Sequence, residues 1–208
     1  MEGKSVGVVL AGGQSRRFGS PKAFAKKDGK EFYLHSIDAI KPFVDSIALI
    51  TNPQLENYFN EKEVKVILDK PEYQGKGPLA GIYTAMDTFS AEWYMIIPID
   101  VPFIDQQIMK ILTDHLDEDV DAVIPVVSGN IQPLIAIYRI TVKDLIKHKL
   151  NQGKRAVISI LNDCNVRYVP MKEEQPFYNI NSRLDFDKWI GIRNKLEKES
   201  VYNENEPS

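Results

Sequence analysis

The chain has 208 residues, 43% of them hydrophobic and 26% charged, the balance of an ordinary soluble globular protein rather than of a disordered or fibrous one. Its 26 basic side chains against 29 acidic ones leave a net charge of −3, which excludes a global basic field for nucleic acid and makes any anion site a local one. A lone cysteine, Cys164, excludes an internal disulfide framework or a cysteine-rich zinc site. At this length about 70% of the unfolded surface can be buried, so one core needs no such staple.

The first apolar run, Val6 to Ala11, is too short for a signal segment, and no later run approaches the ~20 residues of a membrane span. A cytoplasmic protein without membrane association is expected. Ser5–Leu10 is short, β-branched and closed by glycines, the pattern of a buried first strand. Phe32–Ile40 reads as a helix and Ser46–Thr51 as a second strand, ended by the Asn52-Pro53 turn, a possible helix start. Val64–Leu68 is the third strand. Asp69–Gly77 is rich in glycine, proline and charge and reads as a loop, after which Pro78 opens a helix to about Phe89.

Trp93–Ile99 is almost wholly apolar, as a central strand buried on both faces should be. A helix over Asp105–Leu116 and a strand over Asp121–Val127 follow. The turn Ser128-Gly129-Asn130 lets Gln132–Tyr138 return in antiparallel pairing, with Pro133 marking an edge or bulge. Thr141–Leu150 and Arg155–Leu161 read as helices, the first stopped by Asn151-Gln152-Gly153. Asn165–Val169 is a last short strand, and Asn181 or Ser182 caps a terminal helix to about Lys198. The whole is an α/β fold with a mostly parallel sheet and an antiparallel excursion in its second half, and in such sheets ligands bind beyond the carboxyl ends of the strands.

That rule selects the residues that could carry chemistry. Leu10, Ala11, Gly12 and Gly13 leave the first strand, and Arg16, Arg17 and Lys22 follow within a few residues. Paired glycines let backbone N–H groups approach an anion and the cations add charge, although the spacing matches neither the Walker loop nor the dinucleotide fingerprint. Asp100 leaves the most apolar strand and is followed by a proline turn. It could hold Mg²⁺, which takes one or two carboxylates and completes its shell with phosphate oxygens and water; capping of the next helix is the more ordinary job for such an aspartate.

Asp69 sits comparably at the end of the third strand, where a turn aspartate is the plainer alternative. Gly77, Pro78, Leu79, Ala80 and Gly81 open a helix with little bulk, so its N-terminus could face an anionic or planar group or simply pack closely on the sheet. Asn179 and Asn181 could be turn and cap residues only. His35, His115 and His148 lie in predicted helices without metal spacing, and Cys164 has no activating neighbour in sequence.

The stretch LAGGQSRRFGSPKA resembles the opening signature of nucleotidyltransferases that activate sugars, alditols and cofactors. GPLAGI followed by PIDVPFI is similar, more narrowly, to the molybdenum cofactor guanylyltransferases, and QPLIAIY and NINS stand where that family has its later motifs. The resemblance implies a single Rossmann-like nucleotidyltransferase domain over residues 1–198, with helices on both faces of the sheet; the polar composition of residues 199–208 reads as a frayed tail. It implies transfer of GMP from GTP to molybdopterin carrying molybdenum, with Mg²⁺ as cofactor.

Leu10, Ala11, Gly12, Gly13, Arg17, Lys22, Asp69 and Asp100 would serve GTP, with Lys22 and Asp100 catalytic and Asp100 on the metal. Gln132, Pro133, Asn179 and Asn181 would face the pterin side. Contact with molybdenum cofactor delivery or acceptor proteins would be transient. The sequence departs from the family at Ile50, where some members carry asparagine and Asn52 stands two residues later, and at Phe18, where methionine is commoner. The same loop, lysine and aspartate would serve a cytidylyl- or other nucleotidyltransferase with a different acceptor. A non-catalytic nucleotide or cofactor carrier has less use for both Lys22 and Asp100.

Overall fold

A computed structural model describes residues 4–13, 18 and 21–189 of the chain. In chain order it runs β1 (Ser5–Leu10), the short strands β2 (Lys26–Lys27) and β3 (Lys30–Glu31), α1 (Phe32–Ile40), β4 (Ser46–Thr51), β5 (Val64–Leu68) and α2 (Pro78–Thr88). Then follow β6 (Trp93–Pro98), α3 (Gln106–Thr113), β7 (Ala122–Val127), β8 (Asn130–Ile131), β9 (Ala136–Arg139), α4 (Lys143–Asn151) and β10 (Val166–Met171). Residues 183–189 are helical, and the expected continuation to Lys198 lies outside the described residues, as do the tail and Arg16 and Arg17.

The main sheet has the order β10-β7-β9-β6-β1-β4-β5, with β8 attached to β7. β6 lies at its centre, and all six of its residues are buried. β6, β1, β4 and β5 run parallel, as do β7 and β10, while β9 lies antiparallel between β6 and β7. Alternate side chains feed two cores. Val9, Leu49, Met95 and Ile97 face α1 and α3, and Val8, Ala48, Tyr94 and Ile96 face α2 and α4. Helices therefore cover both faces, as the α/β expectation requires. No helix among the described residues is long and apolar enough to cross a membrane.

Several local readings change. Of the return segment expected over Gln132–Tyr138 only the second half is strand, in β9: Pro133 has no N–H for a ladder, and a turn closed by the Ile135 N–H on the Gln132 carbonyl (3.1 Å) takes the first half, while Asn130, expected in the turn, joins Ile131 in β8. Arg155–Leu161 is not an α-helix but a 3₁₀ turn over Val157–Asp163. Asn52-Pro53 leads only to a 3₁₀ turn over Glu56–Tyr58. The β2–β3 hairpin turns at Asp28 and Gly29, both with positive φ (53° and 78°), as a type I′ turn demands. Helix α3 starts one residue later than expected because Asp105 is its N-cap, accepting the Ile108 N–H at 3.0 Å. That removes capping of this helix as the task of Asp100.

Candidate active site

The carboxyl ends of β1, β4, β5 and β6 share one edge of the sheet. Chain order reverses direction between β1 and β6, and a cleft of about 440 Å³ opens there. It brings together Leu10, Gly12, Gly13, Lys22, Asp69, Gly77, Pro78, Gly81 and Asp100 from the sequence-derived set. Ile50, Gly75, Pro98, Ile99 and Leu134 complete it.

The glycine loop is hung from the sheet. The Ala11 N–H donates to the Ile50 carbonyl at 2.8 Å, and the Leu10 carbonyl accepts the Ile99 N–H at 3.3 Å. Ala11 is wholly buried behind the loop and does not line the cleft. A Cβ on Gly12 or Gly13 would meet nothing within 4 Å among the described residues. Both glycines line the cleft, and the lack of a Cβ leaves room for a ligand to approach the backbone closely. Asn52, displaced in sequence from the family position, reaches back with Nδ2 to the Gly12 carbonyl at 3.4 Å.

Lys22 begins a 3₁₀ turn over Lys22–Phe24 and is only 8% exposed. Its Nζ donates to Asn181 Oδ1 at 3.1 Å and lies 3.7 Å from Asp100 Oδ2. The Asp100 carbonyl accepts the Ile180 N–H at 2.7 Å, so the segment after β10 grips both members of the pair. Burial pushes the Asp100 carboxyl above the usual aspartate range, with Lys22 and the backbone opposing it. Asn181 is in turn fixed by its N–H on Asp185 Oδ2 (3.0 Å), while Ser182 Oγ accepts the Asp185 N–H (3.1 Å), as a helix cap does. The structure thus sets Asn181 on Lys22. Asn179 is exposed and outside the cleft, and of the Gln132–Leu134 turn it is Leu134 that reaches it.

The other carboxylate is differently placed. One side of Asp69 is held by the Gly75 N–H, while Oδ1 is buried with no partner among the described residues. Burial raises its pKa from the ordinary 3.8 to about 6. Beneath it, a Cβ on Gly81 would lie 2.9 Å from Leu10 Cδ2, 3.3 Å from Ile50 Cγ2 and 3.7 Å from Asp69 Oδ1. Glycine there keeps the cleft floor flat.

The start of α2 has little left to offer an anion. Pro78 has no N–H, the Leu79 N–H donates to the Arg155 carbonyl (3.4 Å), and the Ala80 N–H donates to Gly77 (3.1 Å). Leu79 and Ala80 are fully buried and turned into the core. The helix start is packed closely on the sheet, as one of the two sequence-based alternatives had it, and Gly77, Pro78 and Gly81 are the members that line the cleft.

The histidines make local bonds, His35 to the Lys27 carbonyl (2.9 Å) and His115 to Ile111 (2.8 Å), and burial pushes the Cys164 thiol up to about 11. His115 lies just beyond α3 rather than within it. Among the described residues no three or more His, Cys, Asp or Glu side chains gather as a metal cluster. A single carboxylate lining an open cleft still suits a hard divalent ion that takes most of its shell from substrate and water.

Glycine loop, buried lysine and carboxylate thus meet at the switch point of this sheet, where α/β folds take their ligands. Residues 7–167 match the MobA-like NTP transferase domain. A probable molybdenum cofactor guanylyltransferase of Geobacillus sp. (strain WCH70) is 42% identical over 190 residues, 88% of this chain and 97% of the relative. One of Halalkalibacterium halodurans is 41% identical over 191 residues, covering 88% and 96%. The crystal structure of molybdopterin-guanine dinucleotide biosynthesis protein A from Archaeoglobus fulgidus superposes with a TM-score of 0.76 at 28% identity, covering 91% of this chain and 99% of that one. The chain belongs to the MobA-like NTP transferase family and is a nucleotidyltransferase.

Proposed function

We propose that this enzyme transfers GMP from GTP to molybdopterin, forming the guanine dinucleotide and pyrophosphate, as the names of its relatives state for them. The observation that carries the reading is the division of labour between two carboxylates in one cleft. Asp100 stands beside a buried cation, whereas Asp69 has an orphaned oxygen and no ion-pair partner among the described residues. Phosphates belong at the first and a donor-bearing planar group at the second. An ionised carboxylate only accepts hydrogen bonds; the Watson–Crick edge of guanine offers N1–H and N2–H₂ together, whereas cytosine offers a single amino group. This favours GTP over CTP, with the base on the flat wall of Gly77, Pro78 and Gly81.

A phosphate oxygen of the acceptor then attacks the α-phosphorus in line, the new P–O bond forms, and the bond to the β-phosphate breaks to release pyrophosphate. The nucleophile is already an anion, so no general base is needed and positioning with charge neutralisation is the protein's task. Gly12 and Gly13 admit the phosphates, and Lys22, steadied by Asn181, neutralises charge that develops on them. Asp100 would hold Mg²⁺, which when bound supplies Lewis-acid neutralisation of phosphate oxygens. Arg17 adds charge to the same loop, and Gln132, Pro133 and Asn179 are left for the acceptor side.

Pyrophosphate release from the purified protein with Mg²⁺, comparing GTP, CTP, UTP and ATP with and without molybdopterin, tests this. Release only with GTP and molybdopterin together is expected, and Lys22→Ala lowers its kcat by about 10²- to 10³-fold, more than it weakens GTP binding. Release with CTP instead overturns the base assignment, and silence with every nucleotide overturns the transfer itself.

A further inference from the structure

One face of α2 organises the nucleotide carboxylate from behind. Gly81, Thr84 and Asp87 follow at steps of three residues and so share a helix face. Gly81 lies under Asp69 Oδ1. Thr84, only 1% exposed, accepts the backbone N–H of Lys70 on Oγ1 at 3.2 Å. Asp87 accepts the Lys70 ammonium and also that of Lys143 from α4 (2.8 Å), which holds its carboxyl at about 2 and therefore ionised throughout the working range. Lys70 immediately follows Asp69 and is thus anchored to α2 by backbone and side chain, while the Gly75 N–H holds the Asp69 carboxylate from the other side.

We propose that Thr84 is a positioning residue, assisted by Asp87: it fixes the Asp69-Lys70 peptide so that the Asp69 carboxylate keeps its place in the cleft lining. The inference rests on the reading of Asp69 as a nucleotide contact. Asp69 has no hydrogen-bond partner at Oδ1 among the described residues to hold it there, and a free loop would turn a half-buried carboxylate toward water. The neighbouring amide supplies the constraint. A buried N–H does not give up its acceptor without moving. With valine at position 84 the shape is kept and the acceptor is gone, so the peptide must shift to find another.

The test is calorimetric titration of the full chain with GTP and Mg²⁺ alone, no acceptor present. Thr84→Val is expected to weaken GTP binding about 5- to 20-fold, as a lost hydrogen bond at a charged contact does, and Thr84→Ser to restore it. In turnover assays KM for GTP rises while kcat at saturating GTP changes by less than about twofold. In an Asp69→Asn background the Thr84→Val loss disappears, a coupling that general destabilisation would not produce. Unchanged binding by Thr84→Val, or an equal loss in the Asp69→Asn background, overturns the positioning role while leaving Asp69 in place. If Asp69→Asn alone binds GTP like the parent, the underlying reading of Asp69 falls and the inference with it. Should Thr84→Val melt below the assay temperature, Asp87→Asn is measured in the same cycle, with a loss of about 2- to 5-fold confined to the Asp69 background expected and no loss overturning the proposal.

Discussion

Asp69→Asn should make the nucleotide-free protein more stable while making it a poorer enzyme. In the fold the Asp69 carboxyl has a pKa of about 6 against an ordinary 3.8, because burial disfavours its charge and the Gly75 N–H compensates only in part. A shift of about two units corresponds to about 3 kcal/mol at neutral pH if taken in full. The side chain is only half-buried, so solvent screening removes a good part of that, and the amide brings donors that themselves want partners. A net gain of about 1 kcal/mol remains, a rise in Tm of about 2–4 °C for a chain of this size.

A folded pKa above the unfolded one means that ionisation costs stability. The penalty is fully present above about pH 6, shrinks as pH falls toward 3.8, and is absent below that. Thermal unfolding of both proteins without nucleotide, at pH 7.5 and again near pH 4.5, reads the difference. The Asp69→Asn variant should melt higher at pH 7.5 and the gap should close at the lower pH. Saturating GTP should reverse the order at pH 7.5, since it stabilises the parent more. A variant that melts at or below the parent at pH 7.5, or a gap that ignores pH, would refute the argument that this carboxylate is held ionised at a cost.

Two nearby aspartates separate chemistry from folding. Asp100→Ala should abolish divalent-dependent pyrophosphate release with the fold intact by circular dichroism, whereas Asp105→Ala, which removes the α3 cap, should cost about 1 kcal/mol of stability and leave kcat within about twofold. Gly81→Ala should raise KM for GTP several-fold: its Cβ would press Leu10 Cδ2 at 2.9 Å and lift the cleft floor beneath Asp69. Helix propensity works the other way by about 1 kcal/mol, so a variant whose Tm falls little while KM rises separates site crowding from misfolding, and an unchanged KM contradicts the flat-floor account.

How legible all this was in the sequence depended on range. Ser5–Leu10, Ser46–Thr51, Val64–Leu68 and Phe32–Ile40 coincide with β1, β4, β5 and α1 residue for residue, because buried parallel strands read as unbroken apolar runs and glycine or proline punctuates them. Lys26–Lys27 and Lys30–Glu31 are too short and too charged to show alternation, although Asp28-Gly29 between them is a hairpin signal in its own right.

The insertion of β9 between β6 and β7 is a pairing choice made over long separations, which local pattern does not encode. In the site, Asp69, Asp100 and the glycines could be found from the strand-end rule. What Asn181 touches could not, since its partner Lys22 is 159 positions away, and Thr84 carries no signal beyond a threonine in a helix. A Gly-Lys-Gly stretch at 75–77 was the available hint that Gly75 belongs to the cleft.

The grip of Ile180 and Asn181 on Asp100 and Lys22 has a bearing on the birth of the enzyme. At about 5–20 residues per second, Asn181 is polymerised about 8–30 s after Lys22, with 159 positions between them. Only in the last part of that interval, once β10 has been made, can a nascent chain hold the glycine loop, Lys22 and Asp100 on a nearly finished sheet while the clasp that sets their geometry has yet to be made. Competence to spend a nucleotide therefore waits on the segment after β10, and a polypeptide stalled before it lacks the clasp that sets Lys22 and Asp100.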